Sequence, residues 1–156
     1  MLSVDLRELH RGPVETVGQL KPDDPTFAGL LLELDGPLSV HGQLQQTGDD
    51  DFFWRATLSG RLRGACRRCL KELTYPLDAE IDVLFSADPD AADDPSVYPL
   101  KEPVRTVDVR EAVREELALA VEAFPLCREE CAGLCSICGA DLNAGPCGCA
   151  RSAAQL

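Results

Sequence analysis

Six cysteines fall between Cys127 and Cys149, in the run CREECAGLCSICGADLNAGPCGC, and two more stand far upstream as Cys66-Arg-Arg-Cys69. No other feature limits the possible folds as tightly. A tetrahedral zinc site needs four soft ligands at about 2.3 Å from the ion, and a short C-x2-C, C-x3-C or C-x-C pair pre-forms half of one. Four such pairs read as two four-thiolate sites. An even cysteine count also suits a disulfide framework, but that belongs to oxidising compartments. Met1–Glu8 already carries Asp5, Arg7 and Glu8, unlike a secretory leader. No aliphatic run, Leu30-Leu31-Leu32 included, approaches the length of a membrane span. A cytoplasmic location with metal-bound thiolates is therefore expected, with no membrane partner.

The charge narrows the partners. The formal net charge is −12 over 156 residues. Ionising eight thiols and adding two Zn2+ ions would take it to −16. Such a chain repels nucleic acid at long range and attracts basic proteins. One local exception stands out. Arg61, Arg63, Arg67, Arg68 and Lys71 put five of the fifteen basic residues around the Cys66–Cys69 pair. These are the candidate RNA contacts, although arginines are also common on the wet face of a hairpin.

Alternation identifies the strands. Val4 and Leu6 suggest a short one, ended by Gly12-Pro13. Phe27–Leu34 is apolar and could be strand or helix. Leu38, Val40 and Leu44 alternate with polar residues up to the turn Gly48–Asp51. Trp54, Ala56, Leu58, Leu62 and Cys66 form one face of the next strand. Leu73, Tyr75, Leu77, Ala79, Ile81, Val83 and Phe85 form one face of the strand that follows. Period two over such lengths demands a buried and a wet face, so Cys66 and Cys69 are placed at the tip of a long antiparallel hairpin. Residues of about 87–104 are acidic and proline-rich, as in a linker. A helix is predicted over about 108–124. Asp108 would cap it, Glu111 would complete a capping box, and Val109, Val113, Leu117, Ala120 and Phe124 would be its apolar stripe, with Pro125 ending it. The expected class is α+β: an antiparallel sheet with a long hairpin, one main C-terminal helix packed on it, and a zinc-binding cysteine-rich tail. The expected domains are 1–126, β-rich, and 127–156, the tail, docked on the hairpin tip.

Spacing leaves two assignments of the cysteines open. Cys135 and Cys138 can close with Cys147 and Cys149 across eight residues at little entropic cost, leaving Cys66, Cys69, Cys127 and Cys131 to form the other site. Alternatively Cys66 and Cys69 join Cys135 and Cys138. Under the first assignment a lesion at Cys147 is expected to disturb the tail alone. Four thiolates close a site to water, which is the structural and not the catalytic pattern. His10 and His41 are isolated and read as ordinary surface or hydrogen-bonded histidines. No nucleophile triad, phosphate loop or zinc-protease motif is present, so no catalytic residues, small-molecule substrate or further cofactor site are expected.

The segments CRRCL at 66–70, DVREAVREEL at 108–117 and the cysteine run at 127–149 together resemble the YceD family, the large ribosomal RNA subunit accumulation proteins. The resemblance covers roughly the last two-thirds of the chain. It implies a cytoplasmic, non-enzymatic factor that supports accumulation or assembly of the large ribosomal subunit and its 23S rRNA. Its partner would be a basic ribosomal protein or pre-rRNA of the large subunit. The family pattern also implies that the Cys135–Cys149 cluster is a separable module. A zinc-stabilised adaptor unrelated to RNA, and less so a zinc hydrolase, are the competing readings.

Overall fold

The protein is described by a computed structural model over residues 1–149. The chain divides into two compact units. The first holds Met1–Leu62 and Pro76–Val121, and the second holds Arg63–Tyr75 and the chain from Glu122 onward.

The first unit is built on strands β2 (Val14–Leu20), β3 (Glu33–Leu34), β4 (Leu38–Gln46), β5 (Asp51–Ala65), β6 (Glu72–Ser86) and β7 (Val97–Pro99). They form one sheet in the order β2-β4-β5-β6-β7, with β3 on β5. β4 lies antiparallel to both β2 and β5. β6 and β7 pair parallel, which alternation alone could not show. The face predicted for β5 and the turn after it, Trp54, Ala56, Leu58, Leu62 and Cys66, is buried, and Phe52 extends it. On β6, Leu77, Ile81, Val83 and Phe85 are buried, whereas Leu73, Tyr75 and Ala79 of the predicted face are only half-buried.

One contact explains how β2, β4 and β5 lock together. In the registers Thr16↔Gly42 and Gly42↔Ala56, a glycine occupies the middle strand. A Cβ at Gly42 would lie 2.6 Å from Ala56 Cβ and 2.9 Å from Trp54 Nε1. The missing side chain lets the indole cross β4, and its Nε1–H donates to Thr16 Oγ1 at 2.8 Å. Both residues are fully buried, so each satisfies the other's polar group where water cannot.

A two-stranded sheet pairs β1 (Ser3–Asp5) with β8 (Thr106–Asp108). A one-turn helix α1 (Leu6–Leu9) follows β1. The main helix α2 runs Arg110–Ala120, inside the expected 108–124 at both ends. Asp108 is taken into β8 opposite Ser3, so the N-cap is Val109 and no side chain caps the helix. Asp108 Oδ1 instead accepts from Arg110 N. Val121 is already extended. The apolar stripe therefore holds only through Val109, Val113 and Leu117; Ala120 is exposed and Phe124 is 61% exposed. Arg114 ties the helix to the 3₁₀ turn Pro25–Phe27 by donating to the carbonyls of Thr26 and Ala28. Phe27–Leu34, left open between strand and helix, is that turn's end followed by the two-residue β3.

The acidic stretch expected as a linker is woven into this unit. Ser86 Oγ donates to Asp51 Oδ1 at 2.6 Å and accepts from Asp88 N. Asp88 caps the 3₁₀ turn Pro89–Ala91 and Asp94 caps Ser96. Tyr98 of β7 lies 5.3 Å from the Phe85 ring, and burial, with Glu115 and Glu116 beside it, pushes its hydroxyl above the usual tyrosine range.

Thr16→Val keeps the volume and removes the acceptor of the buried indole. An unsatisfied buried donor costs about 1–3 kcal/mol. The variant should lose that much in urea unfolding, with an unchanged slope, read by the emission of the chain's single tryptophan.

Candidate metal centre

The second unit has few strand residues and is organised by its cysteines. Arg63–Ala65 and Glu72–Tyr75 are the ends of β5 and β6, and Cys66–Lys71 turns between them. Leu70 N donates to Cys66 O at 2.9 Å, and Cys66 N donates to Lys71 O at 2.8 Å. The same two bonds recur downstream, from Gly139 N to Cys135 O at 2.9 Å and from Cys135 N to Ala140 O at 2.8 Å. Leu70 (φ 61°) and Gly139 (φ 74°) occupy the same left-handed position. Two C-x2-C segments far apart in sequence thus fold into one knuckle geometry. The downstream knuckle uses glycine where the backbone requires it; the upstream one uses leucine.

The knuckles gather two groups of four. Cys66, Cys69, Cys127 and Cys131 form one, and Cys135, Cys138, Cys147 and Cys149 the other, with the Sγ atoms of each group within 4.8 Å of one another. Of the two assignments that spacing allowed, the chain takes the one that joins the hairpin tip to Cys127 and Cys131. Sγ–Sγ separations are 3.7 Å for Cys66–Cys131 and for Cys69–Cys127. A disulfide would need about 2.05 Å. The edge of a tetrahedron with 2.3 Å bonds is about 3.8 Å, so the donor set fits a tetrahedral thiophilic ion such as zinc. No histidine joins either group among the described residues.

Four thiols this close cannot all ionise by themselves, and their environments divide them. Cys66 is held down to about 6 by the backbone N–H groups of Cys69 and Cys127. Cys135 is likewise at about 6, through the N–H groups of Cys138 and Ile137. Cys131 is lowered chiefly by the side chain of Asn143, whose Nδ2 donates to its Sγ at 3.4 Å. Burial foremost, then the neighbouring thiols, push Cys127 up to about 12. Cys138 does the same to Cys149, also to about 12. A divalent cation bound there would remove this conflict by stabilising each thiolate.

The basic residues around the tip are partly engaged already. Arg61, which lies in the first unit, pairs with Asp35 at 3.8 Å. Arg63 is exposed and has an interaction of its own. Arg67 stacks its guanidinium 5.2 Å over the Phe124 ring, and its N–H donates to Pro125 O. Arg68 Nη1 donates to the carbonyls of Glu129 and Cys131, each at 3.1 Å. Lys71 is exposed. Arg68 therefore has a structural task that strand alternation cannot reveal, since its acceptors lie some sixty residues away. Asn143 was missed because its partners Arg128, Cys131 and Ala132, 11 to 15 residues back, meet it only through the fold of the cysteine-rich loop.

Residues 54–155 match the family described as Large ribosomal RNA subunit accumulation protein YceD. The chain belongs to this family. Uncharacterized proteins of Mycobacterium bovis and Mycobacterium tuberculosis (strain H37Rv) are each 30% identical to it over 124 residues, covering 76% of this chain and 55% of theirs. The chain thus spans about half the length of these curated relatives. No solved structure matches. The YceD match takes in all eight cysteines and both groups. No described helix is long and apolar enough to cross a membrane.

Two outcomes are expected. Metal uptake should release protons, since Cys127 and Cys149 are protonated near neutrality without metal. Retention should therefore weaken as pH falls, most steeply below about 6, where Cys66 and Cys135 also take up protons; zinc content after dialysis across pH 5–8 measures this. Leu70→Gly should stabilise the upstream knuckle. Leu70 is 65% exposed, so little burial is lost, and relief of the left-handed backbone less the entropy of glycine leaves about 0.5–1 kcal/mol. Thermal melting of the metal-loaded protein would register it.

Proposed function

We propose that this protein supports accumulation of large-subunit ribosomal RNA as a non-enzymatic factor, holding a basic ribosomal protein through its acidic first unit. The observation that carries the reading is how charge is sorted. Six of the fifteen basic residues and five of the twenty-seven acidic ones lie in the second unit, so it is formally +1 and the first unit −13. Adding eight thiolates and two zinc ions takes the second unit only to −3. A field of one sign over one unit steers a cationic partner and disfavours RNA there. The ordered carboxylates Asp88, Asp90, Asp93 and Asp94 belong to this surface.

In the same reading the cysteine-rich tail is a structural zinc module docked on the hairpin tip, with two ions. Four thiolates per ion leave no position for a water or a substrate, which argues against a zinc hydrolase. The ions would contribute folding free energy and fix the knuckles. A second reading rests on Arg63, Arg67 and Lys71, exposed beside the upstream knuckle: these would contact pre-rRNA phosphates, as zinc knuckles do elsewhere. Arg61 and Arg68 serve it less well, being held by Asp35 and by backbone carbonyls.

The test changes charge and keeps the caps. Asp→Asn at 88, 90, 93 and 94 retains the side-chain oxygens that cap Asp90 and Ser96. It should weaken binding of a basic large-subunit ribosomal protein roughly tenfold at low salt, mainly through the association rate. Arg67→Ala with Lys71→Ala should leave that binding unchanged. If the aspartate variant binds the ribosomal protein like the parent while the basic variant loses rRNA binding and its salt dependence, the RNA reading replaces this one.

A further inference from the structure

Asn143 lies in the 3₁₀ turn Leu142–Ala144, five residues after Cys138 and four before Cys147. It is therefore carried by the loop that the second cysteine group closes. Its side chain serves the first group. Oδ1 accepts from Arg128 Nη2 and Ala132 N, each at 2.8 Å, and both partners can only donate. Nδ2 donates to Asp141 Oδ1 at 2.8 Å and to Cys131 Sγ at 3.4 Å. The partners leave one orientation of the amide. Two backbone contacts bring the segments together: Leu142 N donates to Gly133 O at 2.9 Å, and Leu134 bridges to Asp141. Asn143 is thus a polar link between one set of ligands and the loop spanning the other.

We propose that Asn143 is a positioning residue that couples the two metal sites, so that filling either site tightens the other by about tenfold. The proposal rests on the reading that each cysteine group binds an ion. With an ion on Cys135, Cys138, Cys147 and Cys149, both ends of the 139–146 loop are fixed, and the amide is presented to Cys131 with its ordering entropy already spent. With an ion on the first group, Cys131, Ala132 and Gly133 are fixed, and they hold the Asn143 turn in place for the second. Such coupling is reciprocal by thermodynamic necessity. It also revises one expectation from the sequence: a lesion at Cys147 reaches beyond the tail.

The experiment titrates the full, metal-stripped chain with cobalt(II) against a competing chelator, following thiolate-to-metal absorbance. Trp54 emission, from the first unit, checks that this unit stays folded. Four proteins form a cycle: the parent, Asn143→Asp, Cys147→Ser with Cys149→Ser, and all three substitutions together. Asn143→Asp keeps the acceptor for Arg128 and Ala132 and replaces the donor to Cys131 with an anionic oxygen. Asn143→Ala, made in both the parent and the Cys147→Ser, Cys149→Ser backgrounds, removes the link without adding charge. In the parent background both Asn143 variants should weaken binding about tenfold, although neither removes a ligand. With the second site disabled, the first should be about tenfold weaker than in the parent, and Asn143→Ala should then change it less than twofold. Equal effects of Asn143→Ala in both backgrounds, or none in either, would overturn the coupling and leave two independent sites. A parent chain that takes up no cobalt would overturn the metal reading itself.

Discussion

Four thiolates in contact are an electrostatic liability, and the second unit depends on how that liability is resolved. Cys69 and Cys127 are 58 residues apart in sequence and 3.7 Å apart at sulfur. Backbone N–H groups lower Cys66, while burial and neighbouring thiols raise Cys127. A divalent cation bound there would change a set of mutually repelling groups into a cross-link between two distant segments. The unit has few regular elements of its own, and a chain piece of this size lacks the apolar area to order itself. An ion held by the four thiolates would offset what the core cannot supply.

The first unit solves the same problem by other means. Its core is largely aliphatic, and the buried polar pair of Trp54 with Thr16 is satisfied internally. Its surface is left to carboxylates. Several of these have local structural duties: Asp24, Asp88 and Asp94 cap turns. Asp24 and Asp94 are held below the ordinary carboxylate range, in each case with a hydrogen bond from the residue two positions on as a cause, Thr26 and Ser96. They stay ionised under any physiological condition. An acidic surface that also secures its own loops can face a basic partner without rearranging, which keeps the ordering cost of association low.

Strand positions were legible from the sequence because period two is written residue by residue, and Trp54, Leu58, Ile81 and Phe85 are buried as their alternation requires. The helix was legible in existence and less so in extent. Asp108 looks like an N-cap in isolation, yet pairing with Ser3 draws it into a strand. Phe124 continues the helical period but lies beyond a backbone already extended at Val121. The parallel β6–β7 pair was hidden because residues 87–104 have the composition of a linker, whereas Tyr98 meets Phe85 and Ser86, Asp88 and Asp94 tie the stretch down by hydrogen bonds.

At the metal centre the division is sharper. Thiolate chemistry, four short pairs and the closed character of each candidate site follow from spacing, because a C-x2-C knuckle is a local object. The partner of each pair is not local. It depends on where the chain from Glu122 onward passes, and the sequence left two assignments open. Only the folded chain chose Cys66 and Cys69 with Cys127 and Cys131. Only the folded chain turned Arg68 from a candidate phosphate contact into a donor to the carbonyls of Glu129 and Cys131. It likewise placed Asn143 between the two groups. Residue type and near-neighbour spacing are properties of the sequence by itself; a hydrogen bond across sixty residues exists only once the intervening chain has been folded back.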